Sequence, residues 1–443
     1  MLAIVTPEEM AAIDEAAPEP VEVLIDRAAR HVAREAIELM GGVYGRRVTV
    51  LAGPGNNGAD GRVAAAHLAR RGVCVSVVDA LDAPESLPFV DLVIDAAFGT
   101  GLSRGYLPPL VHDAQPVLAV DIPSGVDGLT GQRLGVPLQA ERTVTFAALK
   151  PGHILEPGRS LAGEVRVVDI GLDVGRASRH AVEDADVAAL VPKRSAEDHK
   201  WRSGLRIVGG SVGMTGAAHL AARAAQRAGV GMVQLAMPGA QGNEGPTEAV
   251  VLRLPALGWA REALDGLDDR VRAVLVGPGL GNDDPESLLA MLGVAVPLVI
   301  DGGGLTAEVA AAVDARRAPT ILTPHDGEWL RLGGDGGPDR LERTREFALL
   351  HQVTVIRKGP STVVAAPDGR IRVVTSGTSA LATAGTGDVL AGFAAALLAQ
   401  GSDPFDAATV AAQVHGTAGR LGGPGLIASD LPDSIGSILR NLR

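Results

Sequence analysis

The sequence predicts an α/β fold made of two doubly wound domains. Short aliphatic runs alternate with helical segments, and runs that are apolar at every position are typical of parallel strands buried on both faces. A charge-rich stretch at 178–204 interrupts the alternation before a new series of strand–helix units begins. The chain of 443 residues is also about three times the commonest domain length. We therefore expect one domain over 1–178 and a second over 179–443.

The first domain opens with helix-forming sequence. TPEEMAAID (6–14) and an amphipathic segment at 22–40 precede the first strand, and Gly41 and Gly42 end the second of these helices. Apolar runs then predict strands at 47–53, 73–79, 91–95, 116–122, 142–148 and 164–171. The single cysteine, Cys74, lies in the second run, where we expect a buried and unreactive thiol.

The second domain repeats this pattern. Apolar runs predict strands at 205–210, 231–238, 273–279, 296–304, 319–324, 354–359 and 362–366. Two long Ala-rich helices, at roughly 386–399 and 404–421, follow the last of them.

Composition excludes several classes of function. With 40 Lys+Arg against 52 Asp+Glu, the net charge of −12 argues against nucleic acid as a partner, and 2% aromatic residues are too few for base stacking. One cysteine excludes an intramolecular disulfide and a cysteine-rich metal site. Neither a signal peptide nor a membrane-spanning apolar run is recognisable, so we expect a cytoplasmic protein without a membrane partner.

Three loops of the first domain have the composition of a nucleotide site. The first strand runs into GPGNNGADG (53–61) ahead of a helix, where glycines and free N–H groups can bind a phosphate. The alternative, a plain turn with Asp60 as the helix cap, is less favoured. The third strand ends in Asp95 before GTGLSRG (99–105), and the fourth ends in Asp121 before Pro-Ser-Gly. Such loops converge at the carboxyl edge of a parallel sheet, and their oxygens suit a hard cation.

These motifs carry a family resemblance over about residues 1–175. GNNGADG, DAAFGTGLSRG and VDIPSGVDG resemble the motifs of NAD(P)H-hydrate epimerases, and TPEEMAAID fits the first helix of that Rossmann-like domain. The resemblance implies that a potassium ion is held by Asn57, Asp95 and Ser124. It implies that the hydrated nucleotide is contacted by Asn56, Asn57, Gly58, Ala59, Asp60, Gly99, Thr100, Gly101, Leu102, Ser103, Arg104, Gly105 and Asp121. Ala59 stands where the family usually has glycine.

Asp121 is the candidate proton carrier for epimerisation. A carboxylate at a strand end in a closing crevice is prone to a raised pKa, which suits acid–base work at the hydroxyl-bearing carbon. The alternative is that Asp121 is only a contact to potassium or ribose.

The strongest motif of the second domain is TSALATAGTGDVLAG (378–392). Its small-residue loop leads through Gly387 to Asp388 at a helix start, where N–H groups can hold a phosphoryl group and Asp388 can accept a hydroxyl proton. The alternative is a helix start at which Asp388 merely complements the dipole. HDGE (325–328) lacks the ligand set of a zinc motif.

The second domain resembles the ADP-dependent NAD(P)H-hydrate dehydratases of the ribokinase-like superfamily over roughly 200–443. The resemblance is carried by GxxGMTGAA, GPGLG, TPHxGE, KGxxT and GTGDVLAG, in this order. It implies that Ala217, Gly279 and His325 contact the hydrated nucleotide and that Asp388 faces the substrate hydroxyl. ADP, bridged by Mg²⁺, would be held by Lys358, Gly359, Pro360, Ser361, Thr362 and Gly387. Two departures stand out, Gly303 in place of a second aspartate and Ala384 in place of glycine.

The combined resemblance implies a bifunctional enzyme of nicotinamide nucleotide repair. One domain would interconvert the R and S hydrates of NAD(P)H, and the other would dehydrate the S form at the expense of ADP, giving AMP and phosphate. Proteins of both families tend to self-associate, so a homo-oligomer is expected. The alternatives are a ribokinase-like small-molecule kinase, which would leave the first domain unexplained, and a nucleotide-sensing module without turnover.

Overall fold

The computed structural model describes residues 1–240, 245–281 and 283–442. Contacts divide the chain into two compact units: Leu2–Arg179, called the first unit, and His180–Arg443 together with Met1, called the second unit. No described helix combines the length and the apolar character that crossing a bilayer requires.

The first unit is built on a parallel sheet. The strands of this sheet are β2 (Arg47–Ala52), β3 (Cys74–Asp79), β4 (Leu92–Ala96), β5 (Val117–Val120), β6 (Arg142–Phe146) and β7 (Glu164–Val168). The unit also contains a short strand outside this sheet, β1 (Leu2–Ile4), and the helices α1 (Pro7–Glu15), α2 (Val21–Met40), α3 (Asn56–Ala69) and α4 (Gly158–Ala162). The sheet order is β3-β2-β4-β5-β6-β7, and each neighbouring pair is parallel. The predicted parallel sheet is confirmed.

Helices α2 and α3 cover one face of this sheet. Residues such as Val32, Ala36 and Leu68 pack in one buried cluster with Val50 and Leu118 of the strands. At the N-terminus of α1, Thr6 accepts from the Glu9 N–H in a capping box, which fixes the start of the predicted first helix.

The expectation of a buried Cys74 is wrong. Strand β3 is the edge of the sheet, none of its six residues is buried, and the Cys74 thiol is exposed. An apolar run alone does not distinguish an edge strand from a central one, since both carry β-branched residues.

The second unit has a larger mixed sheet. Its strands are β8 (Arg179–Ala181), which starts at the division between the units, β9 (Gly204–Val208), β10 (Met232–Pro238), β11 (Ala249–Leu254), β12 (Val271–Val276), β13 (Leu298–Ile300), β14 (Thr320–Leu322), β15 (Thr354–Arg357), β16 (Thr362–Ala365) and β17 (Ile371–Val374). Its helices are α5 (Asp184–Val187), α6 (Thr215–Arg227), α7 (Ala260–Leu264), α8 (Pro285–Ala290), α9 (Ala307–Ala312), α10 (Asp326–Arg331), α11 (Arg340–His351), α12 (Thr386–Ala399), α13 (Pro404–Gly422) and α14 (Leu431–Leu442).

Strands β9 to β15 form the parallel part, in the order β11-β10-β9-β12-β13-β14-β15. Strands β15, β16 and β17 then pair antiparallel, through the loop at 358–361 and the turn at 366–370. Strands β8, β11 and β17 of this unit, which are short or mixed in polarity, were not predicted from the sequence.

The Ala-rich helices pack closely because their side chains are small. The predicted helices at 386–399 and 404–421 are confirmed as α12 and α13. A Cβ on Gly392 of α12 would lie 2.2 Å from the Ala221 carbonyl oxygen of α6, so the two backbones approach to a distance that only glycine permits. This contact fixes the position of α12, at whose start Asp388 lies.

Candidate active sites

A cavity of about 610 Å³ opens at the carboxyl edge of the first unit's sheet. Its wall includes Pro54 after β2, Ala97 after β4 and Asp121 after β5. Helix α1 adds Asp14, and Lys150 follows β6. The predicted convergence of the three loops is confirmed.

Most residues predicted to contact a nucleotide line this cavity. They are Asn56, Asn57, Asp60, Gly99, Thr100, Gly101, Leu102, Ser103, Arg104 and Asp121. Gly58, Ala59 and Gly105 belong to the same segments but not to the wall. A Cβ on Gly58 would lie 1.8 Å from the Gly53 carbonyl oxygen, so the loop folds tightly against the start of α3. Ala59 lies within that helix, where a methyl group is unstrained.

Asp121 is held in a left-handed backbone conformation, with φ of 63°. Thr145 Oγ1 and Lys150 Nζ donate to its Oδ1 at 2.9 Å and 2.7 Å. His153 Nδ1 accepts the Lys150 backbone N–H at 3.0 Å, so the proton of the neutral ring is on Nε2, which donates to the Asp121 carbonyl at 2.7 Å. Burial lowers the pKa of His153 to about 4. Segment 145–153 therefore stabilises an otherwise unfavourable conformation.

The expected raised pKa of Asp121 is wrong. Burial raises the pKa of this carboxyl, but the charge and hydrogen bond of the Lys150 ammonium, with His153 and Thr145, outweigh burial and lower it. The Lys150 side chain is only 1% exposed. Sequence reasoning missed Lys150, although a lysine directly after a buried strand, in TFAALKPGH (145–153), was a visible signal.

Asp60 shows the opposite behaviour. It is 7% exposed, and burial, together with the negative charges of Asp121 and Asp14, raises its pKa to about 8. Burial and Asp121 also raise the pKa of Asp14, against the Lys150 charge. The same cavity therefore has an ionised carboxylate at Asp121 and a protonated carboxyl at Asp60.

Of the three residues predicted to hold potassium, Asp95 and Ser124 are buried and hydrogen-bonded to each other, and Asn57 lies at the start of α3. Ser124 Oγ donates to Asp95 Oδ1 at 2.6 Å, and the Ser124 backbone N–H donates to Asp95 Oδ2 at 2.9 Å. Burial raises the pKa of the fully buried Asp95, although these hydrogen bonds oppose it. Both polar atoms of the Asn57 side chain are buried without a partner. An unpartnered amide oxygen and a buried carboxylate are ligands that fit a hard cation.

In the second unit, a histidine of α13 holds the backbone at the start of α12. Gly385, with φ of 92°, precedes Thr386, and His415 Nε2 donates to the Thr386 carbonyl at 2.9 Å. Burial lowers the pKa of His415 to about 4, so the ring is neutral. Gly387 and Asp388 follow in the first turn.

Lys358 is the centre of a charge cluster beside this helix start. Its Nζ lies 3.0 Å from Asp301 Oδ1 and 3.4 Å from Glu328 Oε2. Thr323 Oγ1 also donates to Asp301, at 2.6 Å. A Cβ on Gly387 would lie 3.2 Å from the same Nζ, so the predicted Lys358 and Gly387 are neighbours.

The charges of this cluster change the pKa of the Asp388 carboxyl. Burial and the charge of Asp301 raise its pKa to about 7, with Lys358 opposing and Glu328 adding to the rise. Sequence reasoning assigned no role to Asp301 or Glu328; the signal for Asp301 was a strand ending in aspartate, as at Asp95 and Asp121.

The residues predicted to contact the hydrated nucleotide lie in two places. A Cβ on Gly279, whose φ is 63°, would be 3.0 Å from Ala217 Cβ, so these two are adjacent. His325 caps α10: its Nδ1 accepts the Glu328 N–H at 3.2 Å, and its Nε2 lies 3.5 Å from Glu328 Oε1. His325 is thereby connected through Glu328 to Lys358.

The loop from Lys358 to Thr362 joins β15 to β16. Arg340 Nη2 donates to the Lys358 carbonyl at 2.7 Å, and a Cβ on Gly359 would lie 2.6 Å from the same Nη2. Ser361 is buried, whereas Pro360 is exposed and Thr362 is half-buried. In the described parts of the chain, no three His, Cys, Asp or Glu side chains are grouped so as to hold a metal ion.

Packing around position 303 agrees with glycine in place of the second aspartate. A Cβ on Gly303 would lie 2.1 Å from the Leu280 carbonyl oxygen, so this loop conformation excludes any side chain there. Asp301, two residues earlier, keeps its carboxylate in contact with Lys358.

Comparisons with known proteins match both units. A family model described as NAD(P)H-hydrate dehydratase matches residues 205–441. A model described as YjeF-related protein N-terminus matches 21–87 and 79–152.

Curated relatives match over nearly the whole chain. A protein of Moorella thermoacetica named bifunctional NAD(P)H-hydrate repair enzyme Nnr is 37% identical over 99% of this chain and 97% of its own. A protein of the same name from Mycobacterium leprae is 36% identical over 96% of this chain and 94% of its own.

A solved structure resembles the second unit. The ADP/ATP-dependent NAD(P)H-hydrate dehydratase of Bacillus subtilis, co-crystallised with ATP/Mg²⁺, is 31% identical with a TM-score of 0.52, over 59% of this chain and 98% of its own.

Proposed function

Since the chain belongs to the family of bifunctional NAD(P)H-hydrate repair enzymes, we propose that it restores NAD(P)H from both epimers of its hydrate. The first unit epimerises the R and S hydrates, and the second dehydrates the S hydrate at the expense of ADP. The observation that carries the proposal is the presence of a separate acid–base site in each unit. In the first unit Asp121 is paired with Lys150, and in the second the charges of the Lys358–Asp301 pair act on Asp388.

In the first unit, the cavity binds the hydrated nucleotide between the loops at 54–60 and 97–104. Backbone N–H groups at the start of α3 accommodate phosphate, which explains how a chain with a net charge of −12 binds an anion. Potassium is held by Asn57, Asp95 and Ser124, where it satisfies the unpartnered Asn57 amide oxygen. When bound, it supplies a fixed positive charge at the loops.

In the second unit, Asp388 accepts the proton of the C6 hydroxyl. The hydroxyl oxygen then attacks the terminal phosphorus of ADP, and the bond to the bridging oxygen breaks, leaving AMP. The ring-nitrogen lone pair expels the new phosphate from C6, and loss of a proton from C5 gives the dihydronicotinamide. A pKa of about 7 suits Asp388 to this role near neutral pH.

The nucleotide is held by the loop from Lys358 to Thr362 and by the Gly387 N–H. The Bacillus subtilis dehydratase co-crystallised with ATP/Mg²⁺ supports a nucleotide with Mg²⁺ as the species bound here. The proximity of Lys358 to Gly387 supports a phosphate site between them. Ala217, Gly279 and His325 contact the hydrated nucleotide on the other side.

The test is recovery of nicotinamide absorbance from NADH hydrate with ADP and Mg²⁺. Recovery of both epimers is expected from the wild type, recovery of S alone from Asp121→Asn, and none from Asp388→Asn. Asp314→Asn, an exposed carboxyl of the second unit, is the matched control. A wild type that recovers neither epimer would contradict the proposal and favour the kinase or sensing alternatives. The expected homo-oligomer and cytoplasmic location remain predictions.

A further inference from the structure

Two carboxyl groups that line the first unit's cavity differ in their hydrogen bonding. Asp60 lies on α3 with 7% of its surface exposed, and within the described residues its carboxyl makes no hydrogen bond. Asp121 instead accepts from both Thr145 and Lys150 through Oδ1. A buried carboxyl without a partner favours the neutral acid, and one bonded to a buried ammonium favours the carboxylate.

The free oxygen of Asp121 faces the substrate loop. In the described part of the chain, its Oδ2 accepts no hydrogen bond, and it lies 3.5 Å from the position a Cβ would take on Gly99. Gly99 begins the loop that forms one wall of the cavity. Lys150 and Thr145 thus occupy one oxygen and leave the other available to a bound molecule.

The other charged groups of the cavity wall are few. Asp14 of α1 and Glu19 add negative charge, and Arg104 adds positive charge in addition to that of Lys150. Glu19 is paired with Arg27 at 3.1 Å, which offsets its charge. Asp14 and Asp121 are the groups whose negative charge acts on Asp60, in the direction that keeps Asp60 protonated.

We propose that Asp60 and Asp121 are the acid and the base of the epimerisation, and that Lys150 is the positioning residue that keeps Asp121 a carboxylate. Carboxyl groups whose environments favour opposite protonation states are the arrangement that assigns acid and base roles. This inference rests on the proposed epimerase function of the first unit, and it specifies which group moves each proton.

The step balances as a ring opening. Asp121 takes the proton of the C6 hydroxyl, the C6–O bond becomes a carbonyl, and the C6–N1 bond breaks with its electron pair going to N1. Asp60 gives its proton to N1. After rotation about C5–C6, N1 attacks the other face of the aldehyde and returns its proton to Asp60, while the oxygen regains its proton from Asp121. Both carboxyl groups end in their starting states, so the pair needs no co-reactant.

The experiment follows conversion of purified R hydrate to S hydrate by chromatography as a function of pH. For the wild type, we expect kcat/KM to fall above about pH 8, where Asp60 loses its proton. Asp60→Asn should lower kcat/KM by about 10²- to 10⁴-fold and abolish this alkaline limb. Asp113→Asn, which alters an exposed carboxyl of the same unit, is the matched control.

A separate measurement, the acid limb of the pH profile, tests the role of Lys150. Without the ammonium, the pKa of Asp121 rises, so Lys150→Met should shift the acid limb of kcat/KM to higher pH, an effect that a structural role alone would not produce. Thr145→Val, which removes only the second hydrogen bond to Oδ1, should shift the limb in the same direction by less and serves if Lys150→Met does not fold.

The outcomes separate the two proposals. Loss of R-to-S conversion in the wild type would overturn the proposed epimerase function and this inference together. A wild type that epimerises while Asp60→Asn keeps full kcat/KM and its alkaline limb would overturn the inference alone. An acid limb unmoved in both Lys150→Met and Thr145→Val would remove Lys150 from its role.

Discussion

Asp60→Asn should make the stability of the first unit less sensitive to pH. The pKa of Asp60 is about 8 in the folded chain, against 3.8 for an aspartate exposed to solvent, as in the unfolded chain. Between these values the folded state binds one more proton than the unfolded state. The free energy of unfolding of the wild type therefore falls as pH rises through this window, by about 1.4 kcal/mol per pH unit. Asparagine does not titrate, so the variant lacks this slope.

The size of the effect follows from the number of protons alone. From pH 5 to pH 7, Asp60 stays protonated in the folded state and ionised in the unfolded one, so the variant gains about 2.7 kcal/mol relative to wild type. That is roughly a 100-fold change in the opening equilibrium constant. The magnitude does not depend on the pKa value, provided that it stays above 7.

Hydrogen exchange measures this gap. The buried amides of β2 and β4 report opening of the first unit, and comparing wild type with variant at one pH cancels the intrinsic exchange rate. Asp113→Asn should show no such divergence between pH 5 and pH 7. A gap between wild type and Asp60→Asn that is the same at both pH values would refute the reasoning, because Asp60 would then be ionised in the folded protein.

Three further predictions concern the remaining groups. Asp388→Asn should abolish dehydration of the S hydrate while calorimetry still detects ADP binding, and the wild-type rate should rise with pH through about 7 as Asp388 ionises; a pH-independent rate would exclude Asp388 as the base. Gly303→Asp should lower the free energy of unfolding of the second unit by about 1–3 kcal/mol, because the added Cβ would lie 2.1 Å from the Leu280 carbonyl oxygen. Tryptophan fluorescence reports unfolding of this unit, since all three tryptophans lie in it, and an unchanged denaturation midpoint would show that the loop adapts to the side chain. Replacing potassium with tetramethylammonium should slow epimerisation and leave dehydration unchanged, and equal slowing of both would argue against a cation site at Asn57.

The sequence predicted the strand ends well because they have a local signature. Gly-rich loops after apolar runs correctly indicated the wall of the first cavity and the start of α12. The edge position of β3 and the antiparallel pairing of β16 with β17 were harder to predict from the sequence, since strand order depends on contacts between residues distant in sequence.

By itself, the sequence determined the α/β class, the order of the motifs and the chemical type of each loop, because these depend on periodicity and on neighbouring residues. Only the tertiary structure decided the protonation of the carboxyl groups. Asp121 was expected to have a raised pKa and has a lowered one, because the chain brings Lys150 within 2.7 Å, and Asp60 is protonated because α3 buries it near two other carboxyl groups. A pKa depends on desolvation and on charges within a few ångströms, and folding alone brings those charges together.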